Sequence, residues 1–190
     1  MLLVVFSGLP GTGKSTLAEA AARSLHIPVF AKDWLEATLV RCGLTQLPNV
    51  KPLGYAGYEL LTTLAERQLQ LGQSVILDSV ASTISIRQEW HDLANRYQAK
   101  WRVIECVCSD EAIHRQRLVA RQRGIPGWHE LTWDEVERVR AYYALWSEER
   151  LVVDMTRPLT DNIKVVLTYL THRARSIGAT YAYSPEERVD

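Results

Sequence analysis

The sequence carries no excess charge of either sign, since its 190 residues include 22 lysines and arginines against 22 aspartates and glutamates. Without a global basic field, the chain is not expected to bind a long nucleic-acid backbone, which leaves only a local basic cleft for such a partner. Its three cysteines have no C-x-x-C spacing, and its five histidines lack the spacing of metal ligands. Neither a disulfide framework nor a histidine metal site is therefore expected.

Long apolar runs and a leader segment are also missing from the sequence. The apolar run at residues 2–6 begins almost directly after Met1, and it is too short to cross a bilayer. It has neither a basic leader nor a small-residue cleavage site, so we expect a cytoplasmic protein that does not enter the membrane. Apolar residues make up 47% of the chain, which is enough for one domain with a sizeable core.

The most specific motif lies near the start of the chain. Residues 8–15 read Gly-Leu-Pro-Gly-Thr-Gly-Lys-Ser and match the phosphate-binding pattern G-x-x-x-x-G-K-[ST]. An apolar run precedes it and a helical pattern follows it, which is the context that distinguishes the motif from an ordinary tight turn. Glycines allow backbone N–H groups to point at an anion, and the helix start adds its positive dipole end.

Within this motif, Lys14 is predicted to contact the β- and γ-phosphates of a nucleotide, and Ser15 is predicted to bind Mg²⁺. The predicted nucleotide contacts of the segment are Gly8, Pro10, Gly11, Thr12, Gly13, Lys14, Ser15 and Thr16.

Apolar strand-like runs alternate with amphipathic helical runs, a pattern typical of an α/β protein with a parallel sheet covered by helices. The strands are predicted at residues 2–6, 28–31, 74–78, 101–108 and 150–153. Helices are predicted at residues 14–25, 33–42, 55–71, 84–99, 110–123, 132–147 and 161–172. The Gly-Pro loop at 124–130 joins two of these helices into a lid, placed at about residues 115–135. The pattern predicts one domain over 1–173 and a loosely ordered tail over 174–190.

Two carboxylates follow predicted strands. Asp78 ends an apolar strand, where a carboxylate can hold Mg²⁺ together with Ser15. Asp33 follows the second strand, and ligands of open parallel sheets gather at the carboxyl ends of the strands. A carboxylate there can accept the proton of a substrate hydroxyl. The alternatives are that Asp78 caps a turn and that Asp33 is the N-cap of the next helix.

Four arginines crowd the helix predicted at residues 110–123. Arg117 shares a helical face with Ile113 and Ala120, and Arg121 lies one turn further on. Because an inward-facing arginine needs an anion, these two are predicted to stabilise a phosphoryl group in transfer. Arg115 and Arg123 are less favoured, and solvated surface charge is the alternative for all four.

Other side chains are expected around the same cleft. Arg157, in the loop after the last predicted strand, can stack on an adenine ring, and the alternative is that this loop is only a turn before the next helix. Aromatic side chains in or beside the loops that should rim the cleft can stack on a substrate or simply pack; they are Trp34, Tyr55, Tyr58, Trp128 and Trp133.

Together these motifs resemble the P-loop kinases of small molecules, a group that includes gluconate kinase, adenylylsulfate kinase, chloramphenicol phosphotransferase, the zeta-toxin kinases and the kinase half of polynucleotide kinase. The resemblance rests on residues 8–15, the Lys32-Asp33 step, residues 75–78 and Arg117-x-x-x-Arg121, which matches the lid pattern R-x-x-x-R. It implies a P-loop NTPase three-layer sandwich with a five-stranded parallel sheet of order 2-3-1-4-5 and a mobile helical lid. It also implies that Asp33 is the general base.

The expected activity is the transfer of the γ-phosphate of ATP, with Mg²⁺, to a hydroxyl group of a small molecule. One alternative is a relative that phosphorylates a nucleotide or the 5′-hydroxyl of a polynucleotide, which the zero net charge disfavours. Another is a P-loop ATPase or switch without an acceptor, although the N-K-x-D motif of G proteins does not occur.

Overall fold

A computed structural model describes residues 1–44 and 52–171 of the chain. Within these residues, strands and helices alternate along the chain, as the sequence pattern predicts. The strands are β1 (Leu2–Ser7), β2 (Val29–Ala31), β3 (Val75–Asp78), β4 (Lys100–Val107) and β5 (Leu151–Asp154). The helices are α1 (Lys14–Leu25), α2 (Lys32–Arg41), α3 (Leu53–Gln70), α4 (Ile84–Arg96), α5 (Glu111–Ala120), α6 (Trp133–Tyr142) and α7 (Leu159–Thr171).

The five strands form one parallel sheet in the order β2-β3-β1-β4-β5, which confirms the predicted fold. The register aligns Ala31 with Asp78 across β2 and β3, and Phe6 with Asp78 across β1 and β3. The carboxyl ends of these three strands therefore meet at one edge of the sheet, where the glycine-rich turn and the segment carrying Asp33 also begin.

Alternate side chains of the sheet enter two separate cores, because successive residues of a strand point to opposite faces. On one face, Leu3 and Val5 pack with buried residues of α3 and α4, including Trp90. On the other face, Val4 and Phe6 pack with residues of α1 and α7. Since both faces are covered, the central strands read as continuous apolar runs.

Helix ends account for most differences from the sequence-based prediction. Helix α5 stops at Ala120, so Arg121 is an extended C-cap residue and Arg123 lies beyond the helix. The prediction of one helix carrying all four arginines over 110–123 was therefore wrong. Asp33 is not an N-cap either, because α2 begins at Lys32 with Ala31 as its cap. Helix α6 begins with a capping box formed by Thr132 and Glu135.

Arg87 of α4 connects the segment after α6 to the loop between β3 and α4 by hydrogen bonds. The side chain is buried, with the residue 3% exposed. Its Nε donates to the carbonyl of Ala81 at 2.7 Å, and its Nη2 and Nη1 donate to Ala144 and Leu145 at 2.7 and 3.1 Å. The guanidinium carbon lies 3.8 Å from the ring centroid of Trp146. One side chain thus satisfies three carbonyls from two separate loops.

Replacing Arg87 with methionine is expected to lower the free energy of unfolding by about 3 kcal/mol, because buried carbonyls lose their donors. For a chain of this size, that corresponds to a decrease in Tm of roughly 6–12 °C. Urea denaturation and thermal melting measure the change. The matched control is Arg96→Met on the same helix, whose side chain is exposed and pairs with Glu66. Equal stability of the two variants would contradict the conclusion that these hydrogen bonds of Arg87 stabilise the fold.

Two further expectations from the sequence concern membrane-spanning helices and the C-terminal tail. No helix within residues 1–44 and 52–171 is both long enough and apolar enough to span a membrane. The tail predicted at 174–190 lies outside the described residues.

Candidate functional site

The glycine-rich turn between β1 and α1 leaves the first N–H groups of α1 without a side-chain cap. Gly13 is the N-cap residue and has a left-handed backbone, with φ 97°. Thr12 holds the turn together, because its hydroxyl donates to the carbonyl of Leu9 at 2.9 Å. A helix start with uncapped N–H groups and a positive dipole end suits a phosphate group.

Gly8 has to be glycine because the turn passes close to β4. Its φ is +139°, and a Cβ atom there would lie 2.2 Å from the carbonyl oxygen of Cys106. Any other residue would push the turn away from the sheet. The packing of the turn against β4 therefore explains why the first position of the motif is glycine.

Lys14 and Asp78 form the buried electrostatic centre of the site. The two residues are 6% and 5% exposed, respectively. Burial lowers the pKa of Lys14, while the charge of Asp78 opposes that shift and the charges of Arg121 and Arg123 add to it. Burial likewise raises the pKa of Asp78, against the influence of Lys14, the Ser15 hydroxyl and Arg121. Asp78, Arg121 and Arg123 are thus brought within electrostatic range of Lys14, although they come from β3 and the lid.

Asp78 fits the predicted role of a Mg²⁺ ligand. Its Oδ1 is buried and has no hydrogen-bond partner among the described residues. An unpartnered carboxylate oxygen beside a serine hydroxyl is the kind of donor pair that Mg²⁺ uses together with phosphate oxygens. No cluster of three or more histidines, cysteines or acidic residues suited to a metal occurs in residues 1–44 and 52–171. The residues therefore fit a metal that arrives with a nucleotide.

The lid reaches across the cleft to α2. Arg123 forms an ion pair with Asp33, and its side chain is 3% exposed whereas that of Asp33 is 33% exposed. Arg41 of α2 donates to the carbonyl of Pro126 at 2.6 Å. These two contacts hold the lid, including the loop at residues 124–130, against α2.

Arg117 occupies a different position from the one its helical face predicts. The residue is exposed, and its Nη1 donates to the carbonyl of Met155 at 2.6 Å. A Cβ atom on Gly13 would lie 3.2 Å from Cε of Met155, so this contact is beside the glycine-rich turn. Arg157 lies in the same turn between β5 and α7, where its N–H donates to the carbonyl of Asp154 at 3.3 Å. Arg117 therefore lies on one flank of the glycine-rich turn, and Arg157 is two residues after its contact Met155.

His114 is a site residue that the sequence did not single out, and Arg123 is one that the sequence-based prediction did not favour. His114 of α5 is 2% exposed, and its Nε2 lies 2.8 Å from the carbonyl oxygen of Pro10. Its ring packs edge-on against Trp133, with centroids 5.1 Å apart. It thus joins the base of the lid to the glycine-rich turn. A lone histidine on a helix gives no sequence signal for such a contact, because its partner is 104 residues away.

The burial of His114 is expected to make stability depend on pH, although the contact with Pro10 opposes the shift in pKa. Burial lowers the pKa of His114, so the folded state binds the proton more weakly than the unfolded state does. Its stabilising contribution is therefore complete above the unfolded pKa of about 6.5 and is lost as the pH falls through the folded value. Between pH 7 and pH 5, the Tm of the wild-type protein should fall further than that of His114→Gln, whose amide can still donate to Pro10. Parallel curves would contradict this assignment.

The aromatic residues predicted at the rim divide into two groups. Trp34 is 46% exposed and lines a cavity of about 280 Å³ with Asp78 and residues of β2. Tyr58 instead packs against Trp90 and under the ammonium group of Lys32, which pairs with Glu36. In the lid, Trp133 contacts Arg115 and Trp128 contacts His129. Trp34 is therefore the aromatic side chain with the position expected of a substrate contact.

Comparisons with known proteins identify a family and a relative of this chain. A family model described as an AAA domain matches residues 3–145. A UPF0200 protein of Aeropyrum pernix is 35% identical over 147 residues, which is 72% of this chain and 71% of that protein.

Solved structures share the fold at low sequence identity. A sugar kinase from Janibacter sp. HTCC2649 has a TM-score of 0.66 and 18% identity, over 90% of this chain and 94% of that one. The APS kinase of Mycobacterium tuberculosis, solved with AMPPNP and APS, has a TM-score of 0.59 and 18% identity, over 89% of this chain and 97% of that one. The chain belongs to the AAA domain family matched over residues 3–145 and has the fold of the P-loop kinases.

Proposed function

We propose that the protein is an ATP- and Mg²⁺-dependent kinase that transfers the γ-phosphate to a hydroxyl group of a small molecule. The observation that carries the proposal is the convergence of three features. These are the uncapped start of α1 behind the glycine-rich turn, the buried Lys14 beside Asp78, and a lid that brings arginines over both. A site of this kind binds terminal phosphates and neutralises charge as a phosphoryl group moves.

The residues of the turn would bind the nucleotide. N–H groups at the start of α1 would donate to phosphate oxygens, and Lys14 would contact the β- and γ-phosphates. Arg117 and Arg157 lie along the flank where the rest of the nucleotide would extend. Ser15 and Asp78 would hold Mg²⁺, which supplies charge neutralisation to the phosphate oxygens.

Asp33 would act as the general base from the end of β2. In the transfer step, the acceptor oxygen forms a bond to the γ-phosphorus as the bond to the β–γ bridging oxygen breaks. The proton of the acceptor hydroxyl passes to a carboxylate oxygen of Asp33, and ADP leaves with the electron pair of the broken bond. Lys14 and Arg121 would stabilise the charge on the moving phosphoryl group. The lid, about residues 115–135, would exclude water that otherwise hydrolyses ATP.

Similar solved proteins support the reaction class and not the acceptor. They include a sugar kinase and an APS kinase, the latter bound to AMPPNP and APS. The cavity beside Trp34, with a volume of about 280 Å³, is suited to a small acceptor. A zero net charge gives no support to a long polyanionic acceptor.

The proposal is tested by a screen with γ-labelled ATP and Mg²⁺ against sugars, nucleosides, antibiotics and amino acids. The expected result is label on one chemical class of acceptor, with transfer much faster than release of labelled phosphate to water. Polynucleotide 5′-hydroxyls and nucleoside monophosphates are included as separate arms. ATP hydrolysis at a rate that no acceptor changes would instead favour an ATPase or switch without an acceptor.

A further inference from the structure

Arg123 is the buried cation of the lid whose bonding is incomplete. Its side chain is 3% exposed, and its Nη2 contacts Asp33. Its Nε and Nη1 are also buried, and neither has a hydrogen-bond partner among the described residues. A guanidinium group with two buried, unpaired N–H groups is costly, and such a group in a cleft indicates a missing anionic or polar partner.

The surroundings of Arg123 indicate which partner is missing. The backbone N–H of Arg123 donates to Oε1 of Glu130 at 2.9 Å, which fixes the start of the lid loop. The charge of Arg123 is close enough to Lys14 to act on the pKa of that residue. Because Lys14 begins α1 at the end of the glycine-rich turn, Arg123 lies near this turn as well as beside Asp33. A phosphate bound at the turn would therefore place its terminal oxygens near the unpaired N–H groups.

We propose that Arg123 is a catalytic residue that joins the general base to the transferred group, with Nη2 on the Asp33 carboxylate and its remaining N–H groups on the γ-phosphate. This inference rests on the proposed function, since it needs a nucleotide on the turn. A planar guanidinium can bind two oxyanions at once on different edges, which an ammonium group cannot do in the same geometry. The bridge would set the distance between base and phosphorus whenever the lid is closed.

The bridge also gives the ion pair of Asp33 a function before the nucleotide binds. While Arg123 contacts the carboxylate, Asp33 is held in place and is not free to turn away from the acceptor position. Arrival of the γ-phosphate satisfies the two unpaired N–H groups without breaking the contact to Asp33. ADP lacks the γ-phosphate and would leave those N–H groups unsatisfied, so Arg123 should distinguish ATP from ADP.

The direct test is a binding measurement that contains no acceptor. Isothermal titration in the presence of Mg²⁺ compares ADP with the β,γ-imido analogue of ATP for the wild-type protein and Arg123→Gln. We expect the variant to bind ADP as the wild type does and to lose roughly tenfold to a hundredfold of the preference for the analogue. The matched control, Arg96→Gln on the exposed surface of α4, should keep the wild-type preference.

Two results would overturn the bridge. An unchanged preference in Arg123→Gln would mean that Arg123 does not contact the γ-phosphate, and an equal loss of affinity for both nucleotides would mean a structural role. Circular dichroism checks that the variant folds, and Arg123→Lys serves as a second variant, with a preference expected between those of the wild type and Arg123→Gln. A wild-type preference in Arg123→Lys would also contradict the bridge.

Measurements of turnover distinguish a failure of this inference from a failure of the proposed function. With an acceptor from the screen, Arg123→Lys restores a charge beside Asp33 yet cannot span both groups. Its kcat should stay roughly a hundredfold or more below that of the wild type, with the KM for ATP changed only a few-fold. Full recovery of kcat by lysine would indicate an ordinary ion pair. If no acceptor is found, the proposed function fails, and the ADP comparison still decides whether Arg123 contacts the γ-phosphate.

Discussion

Replacing Lys14 with alanine is expected to reduce phosphoryl transfer by about a thousandfold or more at saturating ATP. Lys14 is buried at the first position of α1 and shares its site with Asp78. Without the ammonium group, less positive charge would offset the repulsion between the Asp78 carboxylate and the bound phosphates. The loss should therefore appear both in kcat and in the affinity for ATP, and label transfer and isothermal titration measure the two separately.

The control for Lys14 has to separate lost chemistry from lost folding. Lys14→Met keeps most of the side-chain volume and removes the charge, so it should lose transfer as Lys14→Ala does while retaining the helical content of the wild type. Lys164→Ala, at an exposed position on α7, should transfer phosphate normally. Retention of a tenth of wild-type activity in either Lys14 variant would contradict the assignment of the turn as the phosphate site.

Features that depend on neighbours in sequence could be predicted well. The alternation of Leu3, Val4, Val5 and Phe6 between the two cores follows from the period of a strand, and the apolar run had already placed β1. The glycine-rich turn was predictable because its motif fixes both residue identity and spacing. The strand order came from the resemblance to P-loop kinases, since the residues alone predict strands and not their order in the sheet.

The positions of the lid arginines could not be predicted from the sequence. Helical periodicity extends over residues 110–123, yet the helix ends at Ala120 and Arg121 adopts an extended backbone. The direction of the chain after Ala120 then places Arg123 against Asp33, a residue 90 positions away in the sequence. No local pattern carries that information. The favoured pair of arginines therefore included Arg117, which contacts Met155, and omitted Arg123, which is more deeply buried.

Replacing Asp33 with asparagine is expected to lower kcat by roughly a hundredfold to ten-thousandfold, because the acceptor hydroxyl loses the group that takes its proton. The asparagine carbonyl can still accept from Arg123, so the lid contact and the affinity for ATP should be maintained within a few-fold. Steady-state kinetics at saturating acceptor measure the first effect, and titration with the β,γ-imido analogue of ATP measures the second. The matched control is Asp92→Asn on α4, where the carboxylate accepts from Gln88 on the exposed surface.

The same variant decides between the two carboxylates that could serve as base. Asp78 is buried beside Lys14 and Ser15, so Asp78→Asn should raise the Mg²⁺ concentration needed for half-maximal activity. Asp33→Asn should leave that concentration unchanged, because Asp33 lies at the start of α2 and contacts the lid. A shift in Mg²⁺ dependence with Asp33→Asn would contradict the assignment of Asp33 as base. Normal kcat in Asp33→Asn, with a severe loss in Asp78→Asn at saturating Mg²⁺, would transfer that role to Asp78.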